Sequence, residues 1–230
     1  MIRISFLSAV LLLFASCGKK EGDSASIPPA LLDPQSPQMN ETAPNAFKAE
    51  FNTTKGRFVI QIHRDWAPIG ADRFYNLVKQ GFYNGTSFYR VMPNFIVQWG
   101  MSGHPKLAAI WSGNSELNPN ASQIRLQDEP VQQSNKRGTV TYAKAGPNTR
   151  TTQVFINLKD NESLDNQDFP PFGEVVEGLE IVEQLYSEYG EQVRYSLGKV
   201  AEKGTSYLKE KFPELDYVET ARIVEGAEGR

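Results

Sequence analysis

Apolar and polar residues alternate through much of the middle of the chain. The alternation is rough from Phe47 to Asn52 and clear after the turn-like Thr53-Thr54-Lys55-Gly56, where Phe58, Ile60 and Ile62 interleave with Arg57, Gln61 and His63. A period of two puts one face of a strand against a core, so the pattern predicts a β-hairpin. The period then changes: Pro68 suits a first helical turn, Ala71, Phe74, Tyr75, Leu77 and Val78 recur at helical spacing, and Gly81 ends the run. This predicts an amphipathic helix lying against a sheet. Further strands are expected over 138–144, 153–158, 172–176 and 217–224, with a helix beginning in 178–185. Val200, Tyr207, Leu208 and Phe212 suggest another helical segment, stopped by Pro213. Residues 102–123 carry Asn, Ser, Pro and Gly and read as a surface loop, and 186–204 reads as an elaboration to which the pattern assigns no role.

Within this frame the stretch from Phe88 to Gly100 is unusual. Its strand-prone sequence holds one cation, Arg90, and one amide, Gln98. Isolated polar groups on a half-buried sheet usually line a binding face. The stretch from Tyr142 to Asn157 looks like its partner.

The N-terminus has a different pattern. Arg3 precedes an apolar run from Ile4 to Phe14, and Phe14-Ala15-Ser16 leads into Cys17. Residues 1–16 therefore read as a signal peptide, too short to span a bilayer, which takes about 20 residues. Phe14-Ala15-Ser16-Cys17 also resembles a bacterial lipobox, which implies lipidation of Cys17, attachment to a membrane in the bacterial cell envelope and an extracytoplasmic or periplasmic domain. Residues 17–46 hold five prolines, at 28, 29, 34, 37 and 44, and few large apolar side chains. They read as a disordered tether with a span of about 30 Å.

Composition narrows the chemistry. The 230 residues carry a net charge of −3, with 40% hydrophobic and 22% charged residues, as expected for a globular domain with a full core. The 24 Lys and Arg are scattered, which argues against a nucleic-acid partner. A lone Cys rules out an internal disulfide, and two distant His suggest no metal; no cofactor is expected.

Read in order, the hairpin, the helix, Phe-Tyr-Asn-Gly-Thr-Ser-Phe-Tyr-Arg-Val (82–91), Phe-Ile-Val-Gln-Trp-Gly (95–100), Ala-Gly-Pro-Asn-Thr (145–149) and Gln-Val-Phe-Ile (153–156) resemble a cyclophilin-type peptidyl-prolyl isomerase. The resemblance implies a mainly β fold, a closed antiparallel eight-stranded barrel capped by helices over 47–225, with 226–230 as a tail. It implies a monomer that accelerates X-Pro isomerisation in exported or envelope polypeptides. The alternative is a low-turnover module that binds proline-containing segments. By the same resemblance Arg90, Gln98 and Phe95 match catalytic positions. Ile96, Phe155 and Leu164 match the remaining walls of the proline pocket, Ala143 the floor of the adjoining groove, and Gln153 a support for Arg90. Several positions depart from the family: Ser163 stands where many cyclophilins have Trp, Asp168 or Phe169 where they have His, and Ile96, Lys144 and Met101 where Met, Asn and Asp are frequent. Phe169 is expected to supply the missing wall.

Overall fold

The computed structural model describes residues 27–224. The signal peptide, Cys17 and the 226–230 tail lie outside the described residues. The eight strands are β1 (Ala46–Thr53), β2 (Gly56–His63), β3 (Arg90–Met92), β4 (Ile96–Trp99), β5 (Thr139–Tyr142), β6 (Val154–Asn157), β7 (Pro171–Glu177) and β8 (Val218–Val224). They form one antiparallel sheet in the order β3-β4-β6-β5-β7-β2-β1-β8. The sheet curls into a half-barrel, not the closed barrel expected. Its ladder is open between β3 and β8 because β3 keeps only three residues, and the chain just before it meets β8 through a single bridge, Ser87 to Tyr217. Backbone bonds from Phe88 N to Asp216 O (3.0 Å) and from Val218 N to Thr86 O (2.9 Å) support that junction.

The inward faces carry the residues that strand alternation selects. Phe51, Phe58, Ile60, Ile62, Val97, Trp99, Val140 and Ile156 are all buried in one core. Helix α1 (Pro68–Lys79) lays Ala71, Phe74, Leu77 and Val78 on it, with Phe74 and Phe172 ring centroids 5.0 Å apart. The residue before α1 is Ala67, which offers no side-chain cap, so the free N–H groups are met from elsewhere: Ile69 N and Gly70 N donate to the Glu129 carboxylate at 2.6 and 3.0 Å. Glu129 in turn accepts from the fully buried Arg150 at 2.9 Å. This buried charge is paired and hydrogen-bonded, which is the condition for tolerating it.

Two further expectations need correction. The tether expected over 17–46 is folded from residue 27 onward. Short 3-10 helices at Pro29–Leu32 and Pro37–Met39 bury Leu31 and Met39 in the main core. The Trp111 indole donates to Leu31 O at 2.9 Å, Asn76 Nδ2 to Glu41 O at 2.8 Å, and Ala43 N to Asp72 at 2.8 Å. Few apolar residues suffice because each meets a site already present on α1 and the 105–111 region. The surface loop expected over 102–123 contains two helices, α2 (Pro105–Ile110) and α3 (Ala121–Ile124), and buries Leu107, Trp111 and Ala121.

Beyond β7 come α4 (Leu179–Val182), α5 (Leu197–Lys203) and α6 (Thr205–Lys211). The last two are split at Gly204, whose φ of +71° suits glycine and where a Cβ would come within 2.4 Å of Gly103 O. They enclose a second apolar cluster with Tyr89, Val193, Val200, Leu208 and Leu215 at its centre.

Candidate active site

Strand register builds the site. β3 and β4 pair Arg90 with Gln98, β4 and β6 pair Gln98 with Phe155, and β5 and β6 pair Thr141 with Phe155. Neighbouring positions Val91, Val97, Ile156 and Val140 pair across the same strands and enter the core. Alternation therefore puts Arg90, Gln98 and Phe155 in one row on the opposite face. The row borders a groove of about 570 Å³, a size suited to a few residues of an extended peptide.

Arg90, Gln98 and Phe95 all line this groove. Phe95 follows a tight turn in which Asn94 takes φ 59°, and its carbonyl accepts from Leu158 N and Asn161 Nδ2, both at 2.9 Å. The Arg90 guanidinium lies 5.6 Å from the centre of the Phe95 ring. Ile96, Phe155, Leu164 and Phe169 form the apolar end. Phe169 meets Phe155 edge-on, with centroids 6.0 Å apart and an interplanar angle of 65°. Ser163 is exposed, and Asp168 closes a 3-10 turn (Glu162–Gln167) in the left-handed conformation, so Phe169, not Asp168, takes the place on the groove. Ala143 and Gln153 also line it, joined by a backbone bond from Ala143 N to Gln153 O at 2.9 Å.

The amides connect these parts. Arg90 Nη1 donates to Gln98 Oε1 at 3.2 Å, and Gln98 Nε2 reaches Gln153 Oε1 at 3.4 Å. Gln153 thus supports Arg90 through Gln98 rather than directly. Its Oε1 also accepts from the Tyr89 hydroxyl at 2.5 Å. Burial pushes the Tyr89 phenol well up, so it remains a donor.

The sequence matches a known family over most of its length. A family model described as cyclophilin type peptidyl-prolyl cis-trans isomerase/CLD matches residues 48–201. The chain belongs to the cyclophilin-type isomerase family. Among curated cyclophilin relatives, a peptidyl-prolyl cis-trans isomerase of Acinetobacter baylyi is 32% identical over 142 residues, covering 59% of this chain and 70% of that protein. Peptidyl-prolyl cis-trans isomerase B of Escherichia coli is 31% identical over 149 residues, covering 59% of this chain and 81% of its own. The fold is similar to a crystal structure of a Cryptosporidium parvum cyclophilin-type isomerase, with a TM-score of 0.55 and 18% identity, covering 79% of this chain and 99% of that one. The reaction of this cyclophilin is therefore the cis-trans isomerisation of X-Pro peptide bonds.

Several residues at the site escape the sequence patterns. Asp165 pins the Leu164 and Phe169 wall: it accepts from Asn135 N at 2.8 Å, Asn135 Nδ2 at 2.7 Å and Ser134 Oγ at 2.5 Å, while Asn135 Nδ2 also donates to Phe169 O at 2.8 Å. Burial raises the Asp165 carboxyl, but the Ser134 and Asn135 bonds outweigh it and hold the group below the usual range. Glu191 pairs with Arg90, and Arg194 and Leu197 line the groove. Only tertiary contact reveals these.

Proposed function

We propose that Arg90 accelerates X-Pro isomerisation by stabilising the twisted amide, while the pocket of Phe95, Ile96, Phe155, Leu164 and Phe169 holds the proline ring. Rotation breaks amide resonance against a barrier of about 18–20 kcal/mol and takes tens to hundreds of seconds unaided. As the amide twists, the prolyl nitrogen becomes pyramidal and its lone pair localises. A fixed cationic donor interacts more strongly with that nitrogen than with a planar amide, and every 1.36 kcal/mol of difference is about tenfold in rate. Arg suits the task because it stays charged and presents its donors in a rigid fork. Gln98 bonds the substrate backbone, and Ala143 leaves the adjoining groove open.

The observation that carries this reading is the strand register that sets Arg90, Gln98 and Phe155 in one row beside the apolar pocket. Exchange spectroscopy on a prolyl peptide, comparing the full chain with Arg90→Ala, tests it. Turnover should fall at least about hundredfold, the loss typical of one preorganised donor. Equal turnover would remove Arg90 from the mechanism and leave a groove that binds proline segments.

The substrates we infer are exported or envelope polypeptides reaching a monomeric domain anchored through lipidated Cys17. Support comes from the apolar run of 4–14 and the small residues leading to Cys17. Mass spectrometry of the mature N-terminus in a bacterial host should find an acylated Cys17. A mature protein with an unmodified Cys17 would discard the anchor.

A further inference from the structure

The segment from Tyr186 to Leu215 is not needed to complete the sheet, yet it packs against the residue to which the proposed mechanism assigns the chemistry. Its apolar side chains Val193, Val200, Leu208 and Leu215 pack around Tyr89, immediately before Arg90 in the chain. The same packing delivers Glu191 to the Arg90 guanidinium. Glu191 Oε1 accepts from Arg90 Nε at 2.7 Å and contacts Nη2 as well. The other oxygen, Oε2, accepts from Arg194 Nη1 at 3.0 Å. Arg90 has 16% and Glu191 29% of its side chain exposed, so solvent screens the pair only partly.

Which donors are taken is informative. A guanidinium has five N–H groups, one on Nε and two on each terminal nitrogen. Glu191 occupies the side edge formed by Nε and Nη2, and Gln98 takes a donor of Nη1. One N–H on each terminal nitrogen is left over. A carboxylate blocking substrate would instead span the two terminal nitrogens, where the guanidinium's reach ends. Long side chains such as Arg lose considerable rotamer freedom when fixed, and a contact that fixes them in the free enzyme removes that cost from the reacting complex.

We propose that Glu191 is a positioning residue of the isomerase: it clamps the side edge of Arg90 against the sheet so that the remaining terminal donors face the twisting prolyl amide. The clamp rests on the role given to Arg90 above. Arg194 holds the second carboxylate oxygen and keeps Glu191 aligned. Burial raises the Glu191 carboxyl, but the bonds from Arg90 and Arg194 outweigh this and hold it below the usual range, so the acceptor is ionised near neutral pH.

The test uses the full chain as wild type, Glu191→Ala, Glu191→Gln and Arg90→Ala, with a prolyl peptide followed by NMR. Peptide affinity comes from titration and the on-enzyme exchange rate from exchange spectroscopy. Glu191→Ala should slow exchange on the order of tenfold, less than the hundredfold that an ångström of misplacement can cost, while affinity stays within about twofold. Glu191→Gln keeps an acceptor of the same shape and should restore exchange to within about threefold of wild type. The Arg90 Nε–H resonance, protected from solvent exchange in the wild type, should lose that protection in Glu191→Ala. Exchange unchanged or faster in Glu191→Ala overturns the proposal, as does an equal loss in both Glu191 variants through weakened affinity. If Glu191→Ala does not fold, Glu191→Asp carries the same test: drawing the carboxylate back by one methylene should slow exchange severalfold, and wild-type exchange overturns the clamp. Wild-type exchange in Arg90→Ala would instead sink the reading of Arg90 itself, and the clamp with it.

Discussion

Arg90 is held between two regions built in different ways. On one side is the sheet, where ladder bonds fix Arg90 opposite Gln98 and the reverse face of the same strands is locked into a large core. On the other side is 186–215, a set of short helices around a small apolar cluster, joined to Arg90 through one carboxylate. The sheet determines where the side chain begins, and the short helices determine where its charged end rests. Regions with few buried contacts open at lower free energy than a sheet core, so the charged end is the part of the site most open to adjustment. The group proposed to act on the prolyl amide is thus rooted in the rigid half and held at its charged end by the softer half.

That division can be broken at either half, and the expected effects fall in order. Arg90→Ala removes the shared group and should cost at least about hundredfold in turnover with little change in thermal midpoint, read by peptide exchange and by calorimetry. Leu208→Ala, in the small cluster, should act at a distance. It leaves a cavity behind Tyr89 and should lower turnover severalfold, approaching Glu191→Ala, while β1 and β2 amides stay protected in hydrogen exchange. Loss of protection across the sheet would show that the two regions form one cooperative unit. Phe169→Ala should have the smallest effect, about fivefold in kcat/KM, because it removes one apolar wall from a pocket that keeps Phe155 and Leu164, about 1 kcal/mol of burial for the proline ring. That loss should appear in affinity rather than turnover, and an unchanged kcat/KM would show that Phe155 and Leu164 suffice as walls.

The sheet half is legible in the sequence because its information is local. Arg90 and Gln98 lie eight residues apart across one tight turn, and alternation alone puts them on one face with the core residues on the other. The groove could be read on that basis together with the second motif around Phe155. The softer half is not legible in this way. Val200, Tyr207, Leu208 and Phe212 suggest a helical segment but not what it covers. Glu191 meets Arg90 across 101 residues of chain, a pairing that no local period encodes. Residues 27–46 misled for a related reason. Their prolines and sparse apolar residues resemble a disordered segment, but the prolines start 3-10 turns that present Leu31 and Met39 singly to sites on α1 and near Trp111. Composition counts apolar residues, whereas burial depends on whether each one meets a site.

The two halves are expected to act through the same guanidinium. A double-mutant cycle of Arg90→Ala and Glu191→Ala, with on-enzyme exchange of a prolyl peptide as the readout, tests this most directly. If Glu191 works only by orienting Arg90, the double variant exchanges peptide no more slowly than Arg90→Ala alone. Independent losses that multiply in the double variant would contradict the account.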